Sequence, residues 1–208
     1  DAGLDVDELD AMALSSVVPA HSHSFLAMAA ERIETDPLNI SAESCTFIKI
    51  KYDDPRQVGA DRLCNAYAGY HKYNSALIVV DFGTAITFDV VDKDGAYLGG
   101  VIAPGPITSS KSLHLKTSNL PQVSLDFPST IIGKTTEWSI QSGVTWGIVD
   151  MVDGLVKRIS SEFDVPPVVI STGGYAARYA PQSQTFQRME EHLVLDGIRL
   201  IYDRARRD

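Results

Sequence analysis

The first candidate for proton transfer is an aspartate at the boundary between a predicted loop and a predicted helix. It stands in the run Gly59-Ala60-Asp61-Arg62, where a helix N-terminus and a neighbouring arginine both favour an ionised carboxylate. Such a carboxylate could accept a proton from a substrate hydroxyl, while Arg62 binds an anionic or polar group. The local pattern alone favours a structural interpretation, because an acid at this position is often only the N-cap of the helix.

A second acid, Asp81, ends the apolar run Ala76–Asp81 and is followed by Phe82-Gly83-Thr84. A charged residue at the end of an apolar strand is costly unless a cation or several donors compensate it. Gly83 would let a ligand come close to the backbone, and Thr84 offers a hydroxyl. The pattern therefore indicates a ligand or cation site at this bend, with an Asx turn as the alternative.

Two further groups of small residues could contact a polar ligand. The run Gly133-Lys134-Thr135-Thr136 ends like a phosphate-binding P-loop, but Pro128 stands where that motif needs its first glycine, so we reject a P-loop. A helix cap is the favoured interpretation of this run, and an anion or polar ligand is the alternative. Gly173-Gly174 follows a predicted strand, where the pair could form a bulge or let a nucleotide lie against the backbone.

Hydrophobic periodicity predicts the elements that must position these residues. The predicted strands are 11–19, 46–50, 76–81, 86–92, 97–103 and 167–172, and the predicted helices are 22–34, 61–72, 109–119, 136–163 and 193–207. The first helix is expected to have Ser22 or Ser24 as its cap and to bury Phe25, Met28, Ala29 and Ile33 on one face.

The centre of the chain is predicted to be a three-stranded meander, with Asp94-Gly95 as a hairpin turn. Apolar strands mixed with helices around this meander indicate an α/β fold. Asp81 and Gly83 then lie at the first bend of the meander.

The composition is that of a globular chain with an acidic surface. The 208 residues include 18 Lys and Arg against 27 Asp and Glu, which gives a formal net charge of −9. That balance argues against nucleic-acid binding, although a pocket with an opposite local field can still take an anionic small substrate. No apolar run approaches the roughly 18 residues of a membrane span. Cys45 and Cys64 suit neither a disulfide framework nor a zinc site, so we expect a cytoplasmic protein.

Taken in order, the short motifs of the chain resemble those of the type III pantothenate kinases. The resemblance extends from about Leu14 to Tyr202 with the spacing kept throughout, and the ordered set is far more specific than any one motif. The motifs are Ser15-Ser16-Val17-Val18-Pro19, Tyr52 with Pro55 and Val58-Gly59-Ala60-Asp61-Arg62, Val80-Asp81-Phe82-Gly83-Thr84-Ala85, Gly99-Gly100-Val101-Ile102-Ala103-Pro104-Gly105, Leu120-Pro121, Ile132-Gly133-Lys134-Thr135-Thr136, Gln141-Ser142-Gly143, Ser171-Thr172-Gly173-Gly174 and Leu195-Asp196-Gly197.

The resemblance implies a two-lobed α/β fold like that of actin, Hsp70 and the acetate and sugar kinases, a ribonuclease-H-like fold with an ATP cleft. Residues 1–74 would be the remainder of the N-terminal lobe, and residues 75–208 the C-terminal lobe. The family opens with an Asp-x-Gly-Asn-Thr loop that binds ATP phosphates, and Asp1-Ala2-Gly3-Leu4-Asp5 lacks this pattern. We therefore expect the first lobe to be truncated in the given sequence. A homodimer with pantothenate near the subunit interface is also implied.

The implied activity is the ATP-dependent phosphorylation of pantothenate to 4′-phosphopantothenate, the first step of coenzyme A biosynthesis. By their places in the motifs, Asp61 would be the catalytic base, Thr84 an ATP-binding residue, and Asp81 the ligand of a monovalent cation, K⁺ or NH₄⁺. Mg²⁺ is expected with ATP. The implied substrate-binding residues are Tyr52, Gly59, Ala60, Asp61, Arg62 and Thr136. Pro106, Lys111 and Ser112 depart from the residues usual in the family, in a helix at the edge of the site.

Two other functions stay open at the level of the sequence. One is a non-catalytic accessory or regulatory protein of the same fold, because some family members were named as transcriptional accessory factors. The lack of a basic stripe weighs against direct DNA binding. The other is an enzyme of related fold acting on another phosphate ester or on polyphosphate, although Tyr52 and the Gly59–Arg62 run favour pantothenate.

Overall fold

The computed structural model describes residues 9–33 and 36–207 and divides the chain into two compact units. The first unit comprises Asp1–Ala76, Asp89–Gly99 and His192–Asp208, and the second comprises Leu77–Phe88 and Gly100–Glu191. The elements are β1 (Ala13–Leu14), α1 (Pro19–Arg32), β2 (Leu38–Asn39), α2 (Ala60–Tyr73), β3 (Leu77–Phe82), β4 (Ala85–Val91), β5 (Tyr97–Pro104), α3 (Pro106–Lys116), α4 (Thr136–Ser160), β6 (Val168–Thr172), α5 (Ala176–Tyr179), β7 (Arg188–Met189) and α6 (Leu193–Ala205). The predicted α/β class is confirmed. Among the helices of the described residues, none has the length and apolar character needed to span a membrane.

Most of a five-stranded sheet with the order β5-β4-β3-β6-β7 belongs to the second unit, and residues 89–91 of β4 and 97–99 of β5 belong to the first. The order confirms the predicted meander of β3, β4 and β5, and β6 lies parallel to β3 with Thr172 opposite Asp81. Because β3 is an uninterrupted apolar run, it is buried almost throughout. Its side chains pack with those of α4 in one hydrophobic core that includes Ile78, Val80, Phe88, Val144, Ile148 and Val152. The sheet thus brings the carboxyl ends of β3 and β6 together.

The first unit centres on the packing of α2 against α6. Both helices were predicted, and their bounds differ from the prediction by no more than two residues. The predicted strand 46–50 is wrong, since only Ile50 forms a bridge, to Tyr97. Asp94-Gly95 forms the predicted turn, in which Gly95 has a φ of 82° and donates its N–H to Asp92 O.

The start of α1 differs from the prediction. The helix begins at Pro19 with Val18 as its N-cap, and no side chain caps it. Proline suits the first turn because its φ is fixed and no N–H is needed there, so neither Ser22 nor Ser24 acts as the cap. The predicted buried face is also only half right: Ala29 and Ile33 are buried, whereas Phe25 and Met28 are each about half exposed.

Gly197 of α6 lies so close to α2 that a side chain has no room. A Cβ at this position would be 2.6 Å from the carbonyl carbon of Cys64, whereas a Cβ on Gly154, in the exposed face of α4, would meet nothing within 4 Å. We expect Gly197→Ala to lower the free energy of unfolding by about 2–4 kcal/mol, since backbone cannot yield like a side chain. Gly154→Ala should raise it by about 0.5–1 kcal/mol. Urea unfolding of the two variants measures these changes. Equal changes in the free energy of unfolding would contradict the close packing of Gly197 against α2.

Tyr179 carries a buried hydroxyl in the core of the second unit. Its ring stacks on Phe82 at 5.7 Å between centroids, and its Oη has no hydrogen-bond partner among the described residues. Burial raises the pKa of Tyr179 to about 12. An unfolded tyrosine loses its proton near pH 10, so the unfolded state is increasingly favoured as the pH rises from about 10 to 12.

Tyr179→Phe is therefore expected to be neutral or stabilising at pH 7, by up to about 1 kcal/mol, because it removes an unsatisfied hydroxyl. Above pH 10 the variant's free energy of unfolding should exceed that of the parent by a growing amount, about 3 kcal/mol in total at pH 12. Urea unfolding at pH 7, 9 and 10.5 measures this, with Tyr202→Phe in the half-buried part of α6 as the control. A constant difference across that range would show that the Tyr179 hydroxyl is solvated.

Candidate active site

The Gly59–Arg62 run forms the start of α2 in the first unit. Gly59 is the N-cap, so the interpretation of Asp61 as the cap itself is wrong. Asp61 lies in the first turn, is half-buried, and accepts the backbone N–H of Arg62 on Oδ1 at 2.8 Å. A Cβ on Gly59 would lie 2.6 Å from that oxygen, so the glycine leaves room for the carboxylate.

A polar cavity of about 310 Å³ opens beside this corner. Its walls include Gly59 and Ala60, together with polar side chains of Ser16, Asn39, Ser41 and Arg56. All of them belong to the first unit. The backbone that precedes Asp61 therefore borders a space large enough for a small polar molecule.

Arg62 is almost fully buried and forms an ion pair with a carboxylate of β4. Its Nε donates to Asp89 Oδ1 at 2.6 Å, and the side chains are 8% and 0% exposed. Burial is the largest single influence and would lower the pKa of Arg62, but the charge and hydrogen bond of Asp89, together with Tyr97 and Tyr52, exceed it, so the pKa of Arg62 is raised. Tyr97 also donates its hydroxyl to Asp89 Oδ1, at 2.9 Å. The same carboxylate oxygen thus receives a charged donor and a neutral donor.

Tyr52 lies beside this buried pair. Its ring centroid is 6.4 Å from that of Tyr97, and its ring passes within 3.5 Å of the space where a Cβ of Gly99 would stand. Gly99 has a φ of 127°, a conformation that favours glycine. The structure therefore brings Tyr52 and the Gly59–Arg62 run, which lie seven residues apart in the sequence, into the same unit around Arg62.

In the second unit Asp81 is the penultimate residue of β3, and Thr84 lies in the turn between β3 and β4. The carbonyl of Thr84 accepts the N–H of Gly105 at 3.0 Å and the hydroxyl of Thr108 at 2.7 Å. A Cβ on Gly105 would be 2.5 Å from that carbonyl oxygen. The turn is thus fixed to the start of α3, and Thr84 is exposed.

Gly173 lies against Asp81 at the carboxyl ends of the parallel strands β3 and β6. It has a φ of 95°, and a Cβ there would overlap Asp81 Oδ1 and approach the Phe82 nitrogen to 2.7 Å. A Cβ on Gly174 would meet nothing within 4 Å. Gly173 is therefore required by its close packing against Asp81 and Phe82, whereas the backbone at Gly174 is open.

Thr136 is the first residue of α4 and is exposed. The N-cap is Thr135, whose hydroxyl oxygen accepts the N–H of Trp138 at 3.2 Å. The favoured interpretation of the Gly133–Thr136 run as a helix cap is therefore confirmed. Because Thr135 supplies the cap, the hydroxyl of Thr136 is not needed for it.

Sequence reasoning missed Asp89 and Tyr97. Asp89 is an acid in the middle of an apolar strand, and such a charge demands a buried partner, which was a readable signal. Its partner Arg62 lies 27 residues away, and no local pattern connects the two. Tyr97 was seen only as the first residue of a strand.

The sequence profile of the type III pantothenate kinase family matches residues 2–158. Type III pantothenate kinases of Geobacter sulfurreducens and of Anaeromyxobacter sp. Fw109-5 are each 44% identical over 205 residues, 99% of this chain and 80% and 81% of their own lengths. That of Citrifermentans bemidjiense is 45% identical over 191 residues, 92% of this chain and 75% of its own length. The chain thus spans about four-fifths of the relatives it matches.

Among solved structures, a Campylobacter jejuni protein described as a Baf family transcriptional activator is similar, with a TM-score of 0.64 and 20% identity, covering 99% of this chain and 90% of its own. That likeness concerns the fold alone. The profile and the curated relatives decide the family: the chain belongs to the type III pantothenate kinases. The α/β fold class that the sequence motifs predicted agrees with this family.

Proposed function

We propose that this chain transfers the γ-phosphoryl group of ATP to the primary hydroxyl of pantothenate, forming 4′-phosphopantothenate and ADP in the first step of coenzyme A biosynthesis. Family membership supports the reaction. The observation that carries the residue assignment is the half-buried carboxylate of Asp61 in the first turn of α2. Its neighbours in the chain are Ala60, which lines the polar cavity together with Gly59, and Arg62, whose guanidinium is buried.

In the proposed mechanism Asp61 is the general base. The hydroxyl oxygen of pantothenate attacks the γ-phosphorus, a new oxygen–phosphorus bond forms, and the bond from that phosphorus to the β–γ bridging oxygen breaks. The hydroxyl proton passes to the Asp61 carboxylate, and ADP leaves with the bridging oxygen. Phosphoryl transfer depends mainly on positioning and charge stabilisation, and a positioned base typically contributes about 10²–10⁴-fold to the rate.

The remaining residues of the first unit would hold the acceptor. Gly59, Ala60 and Arg62 flank Asp61 in the chain, and Tyr52 packs beside Tyr97, which shares Asp89 with Arg62. Together they would offer a hydroxyl, a guanidinium and main chain that lines the cavity. Thr136 is proposed as a further contact of pantothenate because its exposed hydroxyl is not used for the helix cap. The groups of the first unit would suit a small molecule with several polar groups.

The Asp81–Thr84 turn would serve the nucleotide. Asp81 supplies carboxylate oxygen beside backbone that lacks side chains at Gly173, and oxygen donors of this kind suit a monovalent cation, K⁺ or NH₄⁺. Exposed Thr84 would contact ATP. Mg²⁺ usually binds through phosphates and only one or two carboxylates, so we propose that it enters with ATP and neutralises the phosphate charge. Residues 9–33 and 36–207 contain no cluster of three or more His, Cys, Asp or Glu arranged for a metal ion.

We also propose that the protein acts in the cytoplasm as a homodimer and that residues 1–74 and 75–208 correspond to its two lobes. These statements are supported by the family motifs quoted above, and light scattering of the purified protein tests the dimer.

The proposed reaction is tested with protein expressed from its intact reading frame. It is incubated with Mg-ATP, K⁺ and pantothenate, and ³¹P NMR and mass spectrometry identify the products. We expect ADP and 4′-phosphopantothenate, with no comparable transfer to glucose, glycerol or acetate, and none from polyphosphate as donor. No phosphorylation of pantothenate at millimolar ATP would refute the proposal and favour a non-catalytic accessory role.

A further inference from the structure

The buried pair of Arg62 and Asp89 is difficult to explain by stability. Both charges are removed from water, and a buried ion pair often contributes no more stability than apolar residues of the same volume. What such a pair can provide is orientation, because the contact through Nε restricts the directions in which the planar guanidinium points. Arg62 directly follows Asp61 in the first turn of α2, so its direction matters at this corner of the molecule.

Tyr97 restricts Asp89 in turn. It lies next to the guanidinium, whose Cζ is 5.8 Å from the ring centroid, and it donates to the oxygen that Arg62 Nε contacts. Burial and then the charge of Asp89 raise the pKa of Tyr97. The hydroxyl therefore keeps its proton and remains a donor at all physiological pH values, so both donors to Asp89 Oδ1 are permanent.

Tyr52, a proposed contact of pantothenate, packs beside Tyr97. Its ring is tilted at 49° to that of Tyr97, and its phenol is among the groups that act on the pKa of both Arg62 and Tyr97. The four side chains thus form one cluster. Two members, Tyr52 and Arg62, are proposed contacts of pantothenate, and the other two have no role in the proposed mechanism.

We infer that Asp89, itself held by Tyr97, is a positioning residue that fixes the Arg62 guanidinium for binding of the acceptor. The inference rests on the proposed function. Since the charge of Arg62 is already balanced by Asp89, the cluster presents directed donors to a polar group of the acceptor rather than an uncompensated positive charge. If the Arg62 guanidinium loses its fixed orientation, binding of pantothenate should weaken far more than binding of ATP.

The test is a cycle of Asp89→Asn, Arg62→Gln and the double variant, with kcat and KM measured separately for pantothenate and ATP. Asparagine keeps the shape and an acceptor oxygen but removes the charge. In the parent background, Asp89→Asn should raise KM for pantothenate about 10–100-fold and change KM for ATP less than threefold. In the Arg62→Gln background it should change KM for pantothenate less than twofold. Tyr97→Phe should give a smaller effect of the same kind, absent when Asp89 is already Asn.

Asp92→Asn is the matched control, because Asp92 lies at the end of the same hairpin, accepts the N–H groups of Asp94 and Ala96 and pairs with exposed Lys51. It should lower the melting temperature without changing KM for pantothenate. If Asp89→Asn alone unfolds, Tyr97→Phe takes its place in the cycle, in the parent and in the Arg62→Gln background, because it leaves the charges of Arg62 and Asp89 paired.

The outcomes separate the inference from the proposed function. A parent protein that does not phosphorylate pantothenate refutes both. With an active parent, three results overturn only the role of Asp89: a KM for pantothenate within twofold of the parent value, equal losses towards ATP and pantothenate, or an undiminished effect in the Arg62→Gln background. A selective loss that vanishes in that background supports it.

Discussion

Asp61→Asn is expected to lower kcat for pantothenate phosphorylation about 10²–10⁴-fold, the usual contribution of a positioned general base. Asparagine can still accept the Arg62 N–H through Oδ1, as Asp61 does at 2.8 Å, so the start of α2 should stay intact. KM for ATP should remain within about threefold. Steady-state release of ADP at saturating ATP and pantothenate measures the loss, and circular dichroism with thermal melting confirms the fold.

The same substitution at Asp53, an exposed residue of the first unit, is the control for the loss of one negative charge. It should leave kcat unchanged within twofold. If both variants keep the parental rate, Asp61 is not the base; if both lose activity alike, the charge of the surface is responsible and not a proton transfer.

We expect Gly173→Ala to impair the proposed cation site at Asp81 in the second unit. A Cβ there overlaps Asp81 Oδ1, approaches the Phe82 nitrogen to 2.7 Å, and sits on backbone with a φ of 95°. Strain and overlap together should lower the free energy of unfolding by about 2–5 kcal/mol. Displacement of the carboxylate should also raise the K⁺ concentration for half-maximal activity, and reduce the rate at saturating K⁺ about 100-fold. Urea unfolding and K⁺ titration of the activity measure the two effects.

Gly174→Ala is the adjacent control, since its Cβ would meet nothing within 4 Å. It should change stability by about 0.5 kcal/mol at most and leave the K⁺ dependence unaltered. A Gly173→Ala variant with the parental response to K⁺, measured where it is fully folded, would remove Asp81 from the proposed cation site.

Local sequence predicts those features of the site that depend on the residues ending helices and strands and on the burial of a strand. Asp81 could be placed at a strand end because the apolar run before it is continuous and Gly83 follows. The helix after Gly59 and the turn at Asp94-Gly95 were predictable for the same reason, as glycine and acid mark boundaries. These features were enough to predict the fold class and to single out the carboxylates of Asp61 and Asp81.

What local sequence could not predict are the contacts between elements. The pair of Arg62 and Asp89 joins a helix to a strand 27 residues away, so its existence depends on tertiary packing. Segment 46–50 looks like a strand because it is apolar and β-branched, but only Ile50 pairs, with Tyr97. At α1 the prediction failed because Pro19 starts the helix before the serines that were expected to cap it.

The most direct measurement of the central claim is a rapid-quench, single-turnover experiment with enzyme in excess over pantothenate and saturating Mg-ATP and K⁺. It follows the appearance of 4′-phosphopantothenate itself, so ATP hydrolysis and slow product release do not contribute. If Asp61 takes the proton, Asp61→Asn forms the product at least about 100-fold more slowly than the parent but to the same final amount. A rate within about threefold of the parent would contradict the account.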